Sequence, residues 1–423
     1  MLSPYLRPPL RHVLMSGAVA ALAFAMAFAS GYLFGRADGA AGTGPLAALG
    51  GPVERVQSVL SPASANTLLT EEEQRRFHVF WEAWGIVEKE FYNRGGIDHQ
   101  KMIYGATKGM VDAIGDPHTA YLTPVNREIS ETDLRGSFDG VGIQVDMREG
   151  KLTVVSPIES SPADQAGIKP GDVVTAVDSV SLTGKTLNDT ILLIRGQRGT
   201  TVTLTLLRPP ATDPLTFTLT RAEIRLDSVR SRMLDEGVGY IRISSFSSDT
   251  GTETTASLRE LLTKQPNGLV VDLRSNPGGY LHAAVQVASQ FMNDGVVLYQ
   301  ANGSGERQTY RVDPGGLATG ARLAVLVNKG TASASEILAA ALHDNGRAVV
   351  IGEKTFGKGT VQNVHELSDR SGLRVTTAQW LTPHEQPLDK IGITPDILAP
   401  DPTDGTAGSD PQLEAAVRYL LGG

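Results

Sequence analysis

The sequence predicts an α/β protein with a β-rich module placed ahead of its main core and a helical region ahead of both. Three observations predict it. Between residues 222 and 400, apolar strand-like runs feed loops and then helix-like runs: "NGLVVDLRSNPGGYLHAAVQVASQFM" and "ARLAVLVNKGTASASEILAAALHDNG" both read strand, loop, helix. Such units build a sheet whose functional loops lie at the carboxyl ends of its strands. Residues 134–221 change texture to short alternating runs, "GVGIQVDM", "KLTVVSP", "GDVVTAVD" and "TTVTLTLLR", separated by turn residues, the pattern of a small β-rich module. Residues 67–133 carry apolar residues at helical spacing instead.

Composition bounds the function. The 423 residues exceed one ordinary core, and 41% hydrophobic with 20% charged residues fits a folded chain. A formal net charge of −8 offers no basic face for nucleic acid. The absence of cysteine excludes disulfides, a thiol nucleophile and a thiolate metal site.

Residues 1–36 read as an N-terminal signal or membrane anchor. Arg7, Arg11 and His12 precede an uncharged stretch from Val13 to Gly35 that is long enough to span a bilayer. It fits an uncleaved anchor, while "AFAS" at 27–30 fits cleavage after Ala29. Either places the rest of the chain outside the cytoplasm. Residues 37–66, rich in Gly, Ala, Ser and Pro, read as a linker.

In residues 67–133, Phe77, Phe80, Trp81, Trp84, Val87 and Phe91 form a helical stripe that reads as core. "KMIYGATKGMVDAIG" reads as a second helix closed by Gly115, and His118 in "DPHTAYLTP" reads as structural. In residues 134–221, "FDGVGIQV" sets Gly140 and Gly142 around Val141 just before a strand. That arrangement suits open N–H groups that receive a peptide carboxylate while the peptide adds as an edge strand. Residues 401–423 read as a linker, "PDPTDGTAGSD", and a final amphipathic helix, "PQLEAAVRYLL".

The chemistry centres on "VNKGTASASEILAAAL" at 327–342. Ser333 and Glu336 have the spacing of a capping box, and local sequence alone favours Ser333 as a helix cap. A nucleophile needs a base and an oxyanion hole. "NPGGY", directly after "LVVDL", offers N–H groups at a helix start, and the N–H of Ala334 offers a second donor. "GEKTFGKGT" nearly spells a phosphate-binding loop, but Gly359 stands where Ser or Thr is required and a hairpin follows in place of a helix. Lys358 is then a flexible-loop lysine or a base made neutral by burial or a cationic neighbour. A Ser-His-Asp triad cannot be built from His343 and Asp344, about three turns along the same helix, whereas His282, His365 and His384 are not excluded by spacing.

"SPADQAGIKPGDVVTAVDSVSL" with "FDGVGIQV" resembles a PDZ domain of the bacterial protease type. "DLRSNPGG", "VLVNKGTASASEI" and "GEKTFGKGTVQ", with "DPHTAYLTP" and "GITPDI", resemble the C-terminal processing peptidases, serine peptidases with a Ser-Lys pair. The resemblance covers roughly residue 67 to the C-terminus. It implies a crotonase/ClpP-like α/β core at 222–400, an inserted PDZ domain at 134–221 and an N-terminal helical region. It implies Ser333 as nucleophile, Lys358 as general base and Gln362 as the residue orienting the lysine. Ala334 and either Gly278 or Gly279 are the implied oxyanion donors. Val141, Gly142 and Ile143 are implied to receive a peptide C-terminus. One position departs: Ser275 stands where the family usually has Asn.

The function expected is therefore a serine endopeptidase that needs no metal or other cofactor. Its expected partners are protein or peptide substrates with exposed C-termini, and the membrane if residues 13–35 are retained. A homo-oligomer or an adaptor is left open, and no nucleic acid is expected. The expected location is the periplasm or the outer face of the bacterial cytoplasmic membrane. Two rivals are a catalytically inactive PDZ scaffold and an acyl-CoA enzyme on the same fold.

Overall fold

The computed structural model describes residues 70–400 and 410–422. The expected anchor and first linker, and most of the second linker, lie outside the described residues. Among the described residues no helix is long and apolar enough to cross a membrane.

The chain divides into two units, Met1–Ile97 and Asp98–Gly423. In the first, helix α1 (Glu71–Glu90) carries the aromatic stripe. The stripe is not a core there: Phe77, Trp81 and Phe91 remain 47%, 60% and 43% exposed. Its rings instead pack on one another, with Phe80 5.0 Å from Trp81 and 5.9 Å from Trp84.

The second unit opens with α2 (His99–Asp112), β1 (Ala120–Leu122) and α3 (Pro124–Arg135). Asp98 caps α2 by accepting from the Lys101 N–H, and Thr123 caps α3 by accepting from the Asn126 N–H. Strand β2 (Ser137–Gly140) then leads into the β-rich module, and β9 (Ala222–Arg225) leads out; the two pair antiparallel. Between them lie β3 (Ile143–Arg148), β4 (Lys151–Pro157), α4 (Pro162–Gln165), β5 (Val173–Val177), β6 (Val180–Ser181), α5 (Leu187–Ile194), β7 (Thr201–Leu207) and β8 (Pro214–Thr220). The strands form one sheet in the order β3-β4-β5-β7-β8, with β6 on β5. Alternate residues of β7, Val202, Leu204 and Leu206, face the module's own core, as the period of two requires.

The α/β core follows. Its elements are β10 (Val229–Met233), β11 (Gly239–Ile243), α6 (Thr250–Thr263), β12 (Leu269–Asp272), α7 (Leu281–Phe291), β13 (Val296–Asn302), β14 (Arg307–Arg311), β15 (Leu323–Val327), α8 (Ala334–Asp344), β16 (Val349–Gly352), β17 (Thr360–Glu366), β18 (Gly372–Leu381), β19 (Ile397–Leu398) and α9 (Pro411–Leu421). The main sheet has the order β10-β11-β12-β15-β16-β19, parallel except at β10. Every residue of β15 is buried because both sheet faces are covered. Leu323, Val325 and Val327 face the cluster holding residues of α6, α7 and α8, while Ala324 and Leu326 face the α9 side. A second sheet, β1-β18-β13-β14 with β17 on β18, completes the core. The β17–β18 hairpin is the one read from "TVQNVHELSDRSGLRVTTAQW".

Candidate active site

The site forms where the loops after β12, β15 and β16 converge. Polar side chains fix the loop after β12 from within. Asn276 is fully buried; its Nδ2 donates to the Ile243 carbonyl (2.9 Å) and its Oδ1 accepts from the Gly278 N–H (2.9 Å). Its own carbonyl accepts from the Ala332 N–H (2.9 Å) and the Ser335 hydroxyl (2.8 Å), which ties this loop to the next one. Upstream, the buried Asp272 holds Arg274 and the Tyr240 hydroxyl, and Arg274 reaches on to Asp410 at the start of α9. Ser275, the departure from the family pattern, has φ 57°. Asn328 holds it there, accepting from its N–H (2.7 Å) and donating to its hydroxyl (3.2 Å).

The three hydroxyls of the loop after β15 part ways. Thr331 donates to the Leu273 carbonyl (2.9 Å), and Ser335 donates to Asn276, so both are structural. Ser333 stands at the start of α8 with φ 60° and ψ −123°, a conformation that costs a side-chain-bearing residue roughly 1–3 kcal/mol. It is only 6% exposed.

Glu336 performs the reach-back of a capping box, accepting from the Ser333 N–H at 2.9 Å. It does more than cap. Its fully buried carboxylate also accepts from the N–H of Gly357 (2.7 Å), the N–H of Lys358 (2.9 Å) and the hydroxyl of Thr355. One carboxylate thus fastens the loop after β16 to the head of α8.

The three lysines of these loops differ sharply. The Lys329 side chain is 80% exposed and pairs with Glu353 at 2.9 Å, and Lys354 is exposed. Lys358 is half-buried, and its pKa is lowered, first by burial and then by the Arg374 charge, against the opposing pull of Glu336. Gln362 lies four residues on, with its Nε2 donating to the hydroxyls of Thr360 (2.8 Å) and Thr376 (3.3 Å).

Gly278 lies flush against the serine: a methyl group there would come 2.6 Å from Ser333 Cβ and 2.9 Å from the Ala334 nitrogen. Its N–H is spent on Asn276. Gly279 pairs with Phe246, whose carbonyl accepts from the Tyr280 N–H. Among the described residues, the N–H groups of Gly279 and Ala334 have no acceptor. Of the histidines weighed for a triad, His343 is bound to Asp344 (2.8 Å) and Asp396 (3.2 Å). His384 is drawn to the same Asp344, and His282 lies 5.1 Å from the Tyr280 ring.

Residues 237–399 match peptidase family S41 and residues 153–208 match the PDZ domain. The carboxy-terminal processing protease CtpB of Bacillus subtilis (strain 168) is 34% identical over 395 residues, covering 91% of this chain and 79% of that one. The chain belongs to the carboxy-terminal processing proteases of peptidase family S41. The carboxyl-terminal-processing protease of Synechocystis sp. (strain ATCC 27184 / PCC 6803 / Kazusa) is 36% identical over 350 residues, covering 80% of this chain and 82% of that one. Among solved structures, the photosystem II D1 C-terminal processing protease is 31% identical and covers 83% of this chain and 98% of that one, with a TM-score of 0.48.

This member of the S41 carboxy-terminal processing proteases is a serine-type peptidase with a PDZ domain. In that domain β3 is an edge strand beside α5, and a groove of about 200 Å³ between them is lined by Ile143, Val145, Ile158, Ile191 and Ile194. Gly142 has φ 77°, and a methyl there would meet Ser161 Cβ at 2.2 Å. The carbonyls of Val141 and Gly142 accept from Ala163 and Ile158 inside the module. The N–H groups of both have no acceptor among the described residues.

Reasoning from sequence found Glu336 only as a capping partner and missed its bonds to the lysine loop. It also missed Asn276, Asn328 and Arg374. The signal for Glu336 was present in the Ser-x-x-Glu spacing, but its other donors lie some twenty residues away.

Proposed function

We propose that this protease cleaves peptide bonds by a Ser-Lys mechanism, with Ser333 as nucleophile, Lys358 as base and Gln362 orienting the lysine. Lys358 is neutral when it acts. Its Nζ takes the hydroxyl proton as Ser333 Oγ attacks the peptide carbonyl carbon. The developing oxyanion is received by the N–H groups of Ala334 and Gly279; Gly278 is the weaker candidate because its N–H is engaged with Asn276. Collapse of the tetrahedral species expels the amine, which takes back the proton and leaves an acyl-enzyme on Ser333. Water then adds to the ester carbonyl, giving its proton to Lys358. Expulsion of Ser333 Oγ, reprotonated by the lysine, frees the new C-terminus.

The observation that carries this reading is the Glu336 carboxylate, which holds the backbones of Ser333 and Lys358 on one oxygen, while Lys358 alone of the three loop lysines is half-buried and the other two are exposed. No metal or other cofactor enters the scheme.

The open N–H groups of Val141 and Gly142 and the apolar groove beside Ile143 support capture of substrate C-termini by the PDZ domain. The basic residues ahead of the apolar stretch 13–35 support export, so the substrates proposed are proteins of the cell envelope. Incubation of casein with the wild type and with Ser333→Ala tests the reading. Cleavage by the wild type alone supports it, and equal cleavage by both removes it.

A further inference from the structure

The motif "GITPDI" and the glycines of "GEKTFGKGT" have no role in the mechanism above. The structure brings them together. The loop between β16 and β17, which carries Lys358, is pressed against the segment 389–393. The Lys390 N–H donates to the Gly357 carbonyl (2.7 Å), and the Thr355 N–H donates to the Ile393 carbonyl (3.1 Å). The approach leaves no room for side chains. A methyl at Gly359 would come 2.1 Å from the Asp389 nitrogen, and one at Gly392 would come 2.7 Å from the Thr355 carbonyl oxygen. On its other side the same loop meets Glu336.

Thr355, only 6% exposed, joins the two sides. Its hydroxyl oxygen accepts from the Ile393 N–H at 2.7 Å, and its hydroxyl donates to Glu336 Oε1. The direction of the second bond is fixed, because a carboxylate only accepts and a hydroxyl has one proton to give. Glu336 then has two donors on each oxygen. The Thr355 hydroxyl and the Gly357 N–H (2.7 Å) meet Oε1, and the N–H groups of Ser333 and Lys358 (2.9 Å each) meet Oε2. The last torsion of a glutamate side chain is soft, so its hydrogen bonds must set how the carboxylate is turned.

We propose that Thr355 is a positioning residue for the Ser-Lys pair: held by Ile393, its hydroxyl pins Glu336 Oε1 and so leaves Oε2 aimed at the backbones of Ser333 and Lys358. This rests on the Ser-Lys reading. The segment 389–393 is then a fixed support, outside both catalytic loops, against which the carboxylate is set. Without the hydroxyl, Oε1 keeps only the Gly357 N–H, the carboxylate can turn, and the two loops lose their common register.

The test compares Thr355→Val, which is close in shape but lacks the hydroxyl, with Thr355→Ser, which keeps the hydroxyl and loses the methyl. Peptide turnover by the full-length protein is measured beside the labelling of Ser333 by a fluorophosphonate. Thr355→Val should lower kcat and the labelling rate constant about tenfold, the size of a lost hydrogen bond to a charged group. KM should stay unchanged, and labelling should still run to completion. Thr355→Ser should retain wild-type values. A merely structural role predicts otherwise: a smaller labelled fraction at the wild-type rate constant, or a serine variant as slow as the valine one. Either result, or wild-type kcat in Thr355→Val, would overturn the proposal while leaving the Ser-Lys mechanism standing. If Thr355→Val does not fold, Thr355→Ala, which also lacks the hydroxyl, takes its place. Undiminished cleavage by Lys358→Arg would instead remove the reading on which the proposal rests.

Discussion

Ser333 and Lys358 share one hydrogen-bond acceptor: Glu336 Oε2 lies 2.9 Å from the backbone nitrogen of each. The two residues come from different loops, 25 positions apart, yet neither backbone can shift without disturbing the same oxygen. A buried carboxylate with several N–H and O–H donors is stable because its charge is met by hydrogen bonds.

Glu336→Gln should therefore damage both catalytic loops at once. The amide nitrogen replaces one acceptor and confronts donors that need an oxygen, at about 1–3 kcal/mol for each buried donor left unsatisfied. The expected result is a lowered denaturation midpoint and a larger fall in kcat than in stability. Wild-type kcat in the glutamine variant would show that the clamp does not set the catalytic geometry.

Ser333→Ala should fold and lose proteolysis. Ser333→Gly should be equally inactive yet gain stability of about 1 kcal/mol, because glycine relieves the positive-φ backbone at no steric cost. Chemical denaturation of the two variants beside the wild type checks the ordering, and cleavage by either one would exclude Ser333 as nucleophile.

On the proposed Ser-Lys mechanism, Lys358 should set the pH dependence. Its pKa is lowered by burial and by Arg374, and its protonated form cannot act as base, so kcat should fall as pH drops through that lowered value. Arginine stays charged throughout; Lys358→Arg should be nearly inactive, while Lys354→Arg and Lys329→Arg keep substantial turnover. The sign for stability follows from the same shift. Between the lowered folded value and the ordinary lysine value the unfolded chain binds more protons, so this group's contribution to stability rises with pH. Lys358→Met should thus be inactive but no less stable than wild type near neutral pH, as unfolding curves at several pH values would show.

Gly278→Ala should abolish activity. The added methyl would lie 2.6 Å from Ser333 Cβ and 2.8 Å from the Ala332 carbonyl oxygen, at a φ of 100°. Gly279→Ala meets the Phe246 carbonyl at 2.1 Å and should cost more stability, since backbone there must move. Calorimetry paired with peptide turnover separates the two, and an active Gly278→Ala would show that Ser333 tolerates displacement.

Peptides ending in a free apolar residue should bind the full-length protein more tightly than their C-terminal amides, because amidation removes the charge that the Val141 and Gly142 N–H groups would receive. The comparison is best made in Ser333→Ala, which does not consume the peptide. Equal affinity of the two forms would exclude carboxylate recognition.

Much of this protein was legible in its residues. The strand-loop-helix units around "LVVDL" and "LAVLV", the β17–β18 hairpin, and the glycine pattern before β3 are all written within a few neighbouring positions. Periodicity and turn chemistry act over such short ranges, so the sequence by itself determined these elements, and its motifs placed Ser333 at a helix start. The tertiary structure decided what depends on distant neighbours. Lys329, Lys354 and Lys358 look alike locally; they differ because Glu336 and Arg374 fold against only one of them. Gly278 and Gly279 are adjacent and chemically identical, and only the position of Asn276 Oδ1 shows which N–H is already spent. The stripe on α1 has the spacing of a core face, yet its rings stand largely exposed. Burial, charge and hydrogen-bond partnership are properties of segments brought together across the chain, and no local pattern encodes them.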